Sequence, residues 1–471
     1  MTKLNPNLKR NNSKFDTEKL AGGYGALAAK QSNIAELRRC VLANLLWEKI
    51  AYVDGISVAD NIKRLIPLCN AKDVFNLAIE ARLLQKLRHT PLFIAREMCK
   101  YPETRKYVGE LLPKIITRAD MLTDFLALYW EEGKRPIAAQ AKKGLAKAFD
   151  NFNEYQLAKY DRDSAIKLRD VLFLTHAKPA EGKEELYSKI ANRTLKTPDT
   201  WEVALSTGKD KKATWERLIQ QNKIGGLALL RNIRNMMGAS VDKSIIQTGL
   251  LNLKATMLLP LDFLKTARIN PEFDRHIEDA MIRSYESLPK LPGKTLFIVD
   301  VSGSMGSSLI SSGSEFSRLD QACAMAMLAI NQCEDYELVA TAGRDSARKG
   351  MHEHIKYPKK GFDVFKQIVE TRARIGGGGI FTKQCLDWCY ENVGKEFDRI
   401  IIFSDSQDVD NYNGNKVIPN PYGKNNYIVD VSSHSKGINY KGVWTAEISG
   451  WSEHFLTFIS AYEGLENMFN E

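Results

Sequence analysis

Between residues 295 and 305 the chain reads Thr-Leu-Phe-Ile-Val-Asp-Val-Ser-Gly-Ser-Met, which places Asp300, Ser302 and Ser304 at alternate positions. The apolar and β-branched run Thr295 to Val299 suits a buried strand, so the carboxylate and the two hydroxyls stand where that strand ends. A hard oxygen cluster of this kind suits Mg²⁺, which takes one or two carboxylates, hydroxyls and waters in an octahedron. The competing reading is a strand-to-helix turn in which Asp or Ser only caps the helix.

Two earlier stretches carry planar and cationic side chains at helical spacing. The first, Leu157 to Pro179, holds Lys159, Tyr160, Arg162, Lys167, Arg169 and His176. With Val171, Leu172 and Leu174 facing a core, Lys167, Arg169 and His176 stay available to phosphates or bases, and Tyr160 can stack on an unpaired base. The second, Thr200 to Met236, holds Arg231, Arg234 and Asn235 at steps of three and four, a compact row of donors on one helix face. Arg meets phosphate bidentately. The competing reading for both stretches is a solvated helix face.

The charge distribution favours a polyanion for one part only. Residues 1–290 carry +15 and residues 291–471 carry −5, which together give the net charge of +10. A basic first part joined to a mildly acidic second part suggests that only the first meets a polyanion, although excess Lys also keeps a helical surface in solution. Enzyme chemistry finds no set of residues. None of the seven His falls in a metal-ligand spacing, and Ser302 and Ser304 lack a His and acid in a nucleophile arrangement. A metal-dependent nuclease or phosphatase needs more clustered carboxylates than this site offers. Gly22-Gly23-Tyr24-Gly25 reads as a turn, since it lacks the preceding strand and following Lys-Ser/Thr of a phosphate loop. The four glycines Gly376 to Gly379 lack a strand feeding them in the required register.

Seven Cys without paired spacing, apart from the step Cys385 to Cys389, argue for a reducing compartment. No apolar run reaches the length of a membrane helix and the start lacks a signal-peptide core, so a soluble, cytoplasmic protein is expected, with no membrane partner.

The elements that position these residues fall into two kinds. From Asn33 for about 250 residues the periodicity is helical, opening with Ile34, Leu37, Val41, Leu42, Leu45 and Leu46 on one face. Ser57 to Asp60 and Thr117 to Asp120 read as capping boxes, and Pro67, Pro91, Pro102 and Pro113 as helix ends or starts. Successive helices with short links and no convincing strand suggest stacked helix pairs. From Leu296 strands alternate with helices, which argues for a parallel doubly wound sheet with its ligand site beyond the carboxyl ends of the strands, where Asp300 stands. His352 and His354 read as solvent-facing on a strand or loop. These patterns divide the chain into a helical-repeat domain over residues 15–288 and an α/β domain over 292–471.

The pattern Asp300-x-Ser302-x-Ser304-Met305 resembles the metal-ion-dependent adhesion site that opens von Willebrand factor A domains. Lys159-Tyr160, Arg169-Asp170-Val-Leu, His176-Ala-Lys-Pro179, Thr200-Trp-Glu-Val, Gly208-Lys-Asp-Lys-Lys212, Ala228-Leu-Leu-Arg-Asn232 and Pro260-Leu-Asp-Phe are similar to the TROVE module of the Ro autoantigen family. In that family an A domain follows the module, so the resemblance spans residues 15–471 in order. It implies a ring of HEAT-like repeats closed by the A domain, monomeric. Small structured noncoding RNA of the Y class would sit on its basic outer surface and single-stranded 3′ ends of aberrant RNA in its central hole, in RNA quality control or ribonucleoprotein assembly. An exoribonuclease is a candidate partner. For Y RNA the family uses a Lys, a basic residue four positions on and a His. Lys159 and His176 match the first and third, whereas Asp163, preceded by Arg162, occupies the second. For Mg²⁺ the resemblance adds Asp405 and a Thr directly after the glycines. Here Ile380 stands in that place and Thr382 comes two residues later. The expected function is non-catalytic RNA binding. The other class is a metal-dependent scaffold that captures an acidic residue of a partner protein.

Overall fold

In a computed structural model, residues 17–19, 27–29, 32–43, 46, 57–83, 85–161, 163–206, 210–253, 258–286, 290–311, 313–410, 418–431, 443–449 and 455–463 are described. The turn Gly22 to Gly25 and Arg162 lie outside them. The first described element is a strand pair missed in the sequence: β1 (Thr17–Lys19) runs antiparallel to β2 (Leu27–Ala29).

Helices then occupy the chain from Asn33–Ala43 to Asp274–Glu286. The Ser57 cap forms as expected: its hydroxyl accepts from Asp60 N at 3.1 Å and donates to the Asp60 carboxylate at 2.6 Å. Thr117 does not cap its helix, which Ala119 precedes. Its hydroxyl instead accepts from the Nε of the buried Arg82 at 2.8 Å, a charged donor that outcompetes a local turn. Pro113 lies inside the last turn of Val108–Ile115, so it ends a helix from within. His89–Met98, Lys243–Leu251 and Pro260–Ile269 fall within the stretch whose periodicity is helical. His89–Met98 is buried over nearly its whole circumference, which erases the amphipathic contrast.

The six-stranded sheet has the order β5-β4-β3-β6-β7-β8, with β3 (Leu291–Asp300), β4 (Cys333–Arg344), β5 (Lys349–His354), β6 (Arg399–Ser404), β7 (Asn425–Asp430) and β8 (Ala446–Ser449). Every pair is parallel except β4 with β5 at one edge. Alternate residues of β3 serve opposite faces: Phe297 and Val299 join one apolar cluster, Leu296 and Ile298 another. This is the two-faced burial of a doubly wound A-type domain. His352 and His354 are not solvent-facing. His352 Nδ1 pairs with Thr341 Oγ1 at 2.9 Å and its ring meets Trp388, while His354 Nε2 pairs with Glu337 at 2.8 Å, because β5 lies against β4.

The apolar packing crosses the expected boundary at residues 288–292. Helices from Lys211–Gln220 onward share one core with the sheet, whereas Asn33 to Asn192 form a separate core. Arg318–Asn331 is the hub: it packs on Pro260–Ile269, Asp274–Glu286 and the helix Gly361–Ile375, and is buried on nearly every side. The chain's first helix returns to the far edge of the sheet. Asn33–Ala43 touches β8, and its buried Arg39 pairs with Asp430 at the end of β7 and with Glu447 in β8. The helical region therefore leaves one side of the sheet domain and closes on the other, as a ring must. Among the described residues no helix is long and apolar enough to cross a membrane.

Candidate nucleic-acid interface and oxygen cluster

A cleft of about 1810 Å³ opens between the two sets of helices. Arg88, Arg118, Lys159, Lys196, Lys223 and Arg231 line it, together with Tyr155, Tyr160 and Trp201. Of the acidic groups that line it, Asp199 and Glu154 are answered by neighbouring cations, whereas Glu202 keeps a buried carboxylate oxygen without a hydrogen bond among the described residues. Asp199 is held by Arg217 at 3.1 Å and Lys223 at 2.8 Å, which keeps its carboxyl well below the usual range, and Glu154 is held by Lys189 at 3.0 Å. Arg88 is spent on Asp120 and Asp124. Lys159 makes no ion pair among the described residues, and Arg231 comes no closer to a carboxylate than 3.9 Å, from Asp262. Tyr160 is met by two cations, with Arg118 at 5.2 Å and Lys159 at 5.7 Å from its ring centroid. Trp201 stacks on Trp215 with centroids 5.8 Å apart and an interplanar angle of 20°.

Of the residues singled out for RNA, the cleft brings together Lys159, Tyr160 and Arg231. Lys159 also lines a neighbouring cavity of about 670 Å³ with Arg193. Lys167, Arg169, His176 and Arg234 stand outside the larger cleft. Lys167 binds Asp163 at 2.6 Å, and Arg193 approaches the same carboxylate at 3.6 Å, holding it below its usual range. Asp163 is thus answered locally and takes Lys167 with it. Arg234 is exposed on the helix Gly226–Gly238, on the same side as Arg231 and Asn235. The helix Leu168–Thr175 buries Leu168, Val171, Leu172 and Thr175. That spacing turns Leu174 outward, contrary to expectation, and Phe173 with it. His176 caps the helix in a left-handed conformation, φ 52°, and is exposed.

The oxygen cluster lies at the carboxyl ends of β3 and β6. Asp300 is fully buried. Its Oδ1 accepts from Ser302 N at 2.8 Å and its Oδ2 from Ser404 Oγ at 2.6 Å. Burial, and then the Asp405 carboxylate, push Asp300 up to about 7. Ser302 and Ser304 hold their hydroxyls 3.4 Å apart. Asp405 is also fully buried and raised by burial, against the pull of Arg318, whose Nη1 lies 3.1 Å from its Oδ2. Arg318 had no signal in the sequence beyond its place after Ser317, which caps the hub helix. The glycine turn lies directly over this cluster. Gly303 N donates to Gly378 O at 3.2 Å, and a Cβ on Gly303 would come within 2.4 Å of Gly377 O. Ile380 enters the core and pairs with the backbone at Asp408, so that Thr382 begins the next helix with its N–H on Asp408 Oδ1 at 3.3 Å. Thr382 is therefore seated at Asp408, three residues beyond Asp405. The donor types at Asp300, Ser302, Ser304 and Asp405 are ones that suit Mg²⁺, and a cation at Asp405 would have to contend with Arg318.

Residues 188–271 match the model of the TROVE domain family. The crystal structure of the Deinococcus radiodurans RO (RSR) protein superposes with a TM-score of 0.55 at 15% identity, covering 92% of this chain and 100% of that one. The chain thus resembles the TROVE family over that segment and shares its overall fold with the Deinococcus protein. No curated relative matches it. The matched TROVE segment supplies the Arg231 side of the cleft, whereas Lys159 and His176 precede it. The six-stranded sheet domain that follows is consistent with a doubly wound A-type domain and lies within the superposed part of the chain.

Proposed function

We propose that this TROVE protein is a non-catalytic RNA-binding ring that takes single-stranded RNA in the 1810 Å³ cleft and small structured RNA of the Y-like class on the helices around it. The cleft wall carries this reading: cations with and without internal partners alternate with aromatic rings, which is how a groove tracks phosphates and stacks bases without reading sequence. Free ends of aberrant RNA would fit such a groove, which supports a role in RNA quality control or ribonucleoprotein assembly, with an exoribonuclease as a partner that would act on the bound strand. Lys159 and His176 would contact structured RNA. With Asp163 in place of a basic residue and Lys167 engaged by it, Arg169 and Arg234 would carry more of that contact.

The test is fluorescence anisotropy with end-labelled oligouridylate at stepped salt. Wild type should bind with affinity falling steeply as salt rises. Replacing Lys159 and Arg231 together by Ala should weaken binding and flatten the salt slope by about one to two. Equal affinity in wild type and variant would overturn the cleft assignment.

We further infer that Mg²⁺ binds at Asp300, Ser302, Ser304 and Asp405 in competition with Arg318, and hence weakly, because the cation and the guanidinium neutralise the same carboxylate. The same observation disfavours an A-domain scaffold that captures an acidic residue through a strongly held metal.

A further inference from the structure

The helix Leu168–Thr175 presents to solvent a row that joins two residues of the motif, Arg169 and His176, to Phe173, which is not among the motif residues. Arg169, Phe173 and His176 are spaced i, i+4 and i+7, so they project from one side of the helix and its cap. Phe173 is 52% exposed and Leu174 38% exposed, although the buried face beside them is filled by Leu168, Val171 and Leu172. The Arg169 guanidinium carbon lies 5.6 Å from the Phe173 ring centroid, and Arg169 makes no ion pair among the described residues. A planar cation resting on a half-exposed ring leaves that ring ordered and the cation available, and the left-handed His176 is exposed one turn further on.

We infer that Phe173 is a stacking platform for an unpaired base of structured RNA, flanked by Arg169 and His176 for the adjoining phosphates. This rests on the RNA-binding reading above and names a contact within it. The chemistry favours nucleic acid over a protein partner. The exposed apolar surface is one ring and one leucine framed by a guanidinium, an imidazole and Lys178, on the part of the chain that carries +15. Every base offers a π face to such a platform, and an arginine beside it neutralises the backbone. The row also accounts for the departure at Asp163. Where the family pattern has a cation one turn before this helix, the present chain pairs Asp163 with Lys167 and Arg193 and sets its recognition on a ring and a guanidinium further along.

The experiment uses the full-length protein and two probes: a short hairpin RNA whose unpaired loop carries a fluorescent adenine analogue, and linear oligouridylate. Three variants are compared with wild type: Phe173→Leu, Phe173→Trp and Arg169→Ala. Phe173→Leu keeps apolar volume and removes the π face. It should weaken hairpin binding by about 5- to 150-fold, the range given by loss of one base–aromatic stack. It should also abolish the quenching of the loop fluorophore while leaving the salt slope and oligouridylate binding unchanged. Phe173→Trp should retain both binding and quenching. Arg169→Ala should weaken binding and reduce the salt slope by about one. Because Phe173 is half-exposed, thermal unfolding of the Leu variant should match wild type, and that control separates recognition from folding. If wild type binds the hairpin and Phe173→Leu binds and quenches equally well, the stacking assignment is overturned and the RNA reading stands. If wild type binds oligouridylate and not the hairpin, this surface is not an RNA contact and the inference is overturned while the cleft survives. If wild type binds neither, both fall.

Discussion

Replacing Arg39 with methionine should loosen the closure of the ring. Arg39 is 5% exposed and pairs with two carboxylates that are themselves buried, Asp430 and Glu447, across nearly the whole length of the chain. Methionine fills much of the same volume, so the dominant effect is electrostatic: two carboxylates lose their cation in a site with little water. An ion pair at about 4 Å is worth about 4 kcal/mol at an effective dielectric of about 20. Stranding one partner of a buried pair costs about 3–5 kcal/mol. That cost should appear locally, as faster hydrogen exchange in Asn33–Ala43 and β8, by about 150- to 4500-fold at 1.36 kcal/mol per decade. Because the cost lies in buried acids that have lost the Arg39 cation and not in a lost attraction, the triple change Arg39→Met, Asp430→Asn, Glu447→Gln should recover most of it. Exchange in the single variant equal to wild type, or a triple variant no better than the single, would refute this account of the closure.

Three further outcomes are expected. Glu278, on the last helix before the sheet, accepts from Phe362 N at 2.6 Å, and burial raises its carboxyl above the usual range. A carboxyl that binds its proton more tightly when folded stabilises the protein at low pH and loses that contribution as pH rises through the raised value. Glu278→Gln, which keeps the acceptor, should therefore flatten the decline of melting temperature as pH rises from the ordinary carboxyl range through the raised value; an identical pH profile would contradict it. Arg318→Met should convert weak Mg²⁺ binding into a clear Mg²⁺-dependent rise in melting temperature, and no difference from wild type in Mg²⁺ response would show that the guanidinium does not contend for Asp405. Gly303→Ala should destabilise the sheet domain more than Gly306→Ala does. A Cβ at 303 would meet backbone at 2.4 Å, whereas one at 306 meets the Arg372 guanidinium, the end of a side chain that can move aside. Equal melting temperatures for the two variants would contradict that reading of the turn.

Much of this architecture was legible in the residues because it depends on local pattern. The apolar run before Asp300 is central strand β3, and the alternation of strands and helices after it is the doubly wound sheet. Arg231 and Arg234 fall on one exposed helix face because spacing alone decides it. What escaped depends on partners distant in sequence. Thr117 looked like a cap and is claimed by Arg82. Arg318 stands beside Asp405 only because the hub helix and the end of β6 converge. Leu174 was assigned to the core on hydrophobicity, but the face that is buried runs through Leu168, Val171, Leu172 and Thr175. Spacing along the chain could not show that Lys159 and Arg231 line one cleft, since they come from helices of different cores. The step from Cys385 to Cys389 proved to be two buried free thiols with Sγ atoms 4.0 Å apart on one helix.

The central claim, that the cleft between the two helical cores holds single-stranded RNA, is tested most directly by photocrosslinking thiouridine-substituted oligouridylate to the full-length protein and mapping the adducts by mass spectrometry. Adducts should concentrate on the cleft aromatics Tyr155, Tyr160 and Trp201, and on the segments carrying Lys159 and Arg231. Adducts confined to the sheet domain, or spread over the surface without enrichment in the cleft, would contradict it.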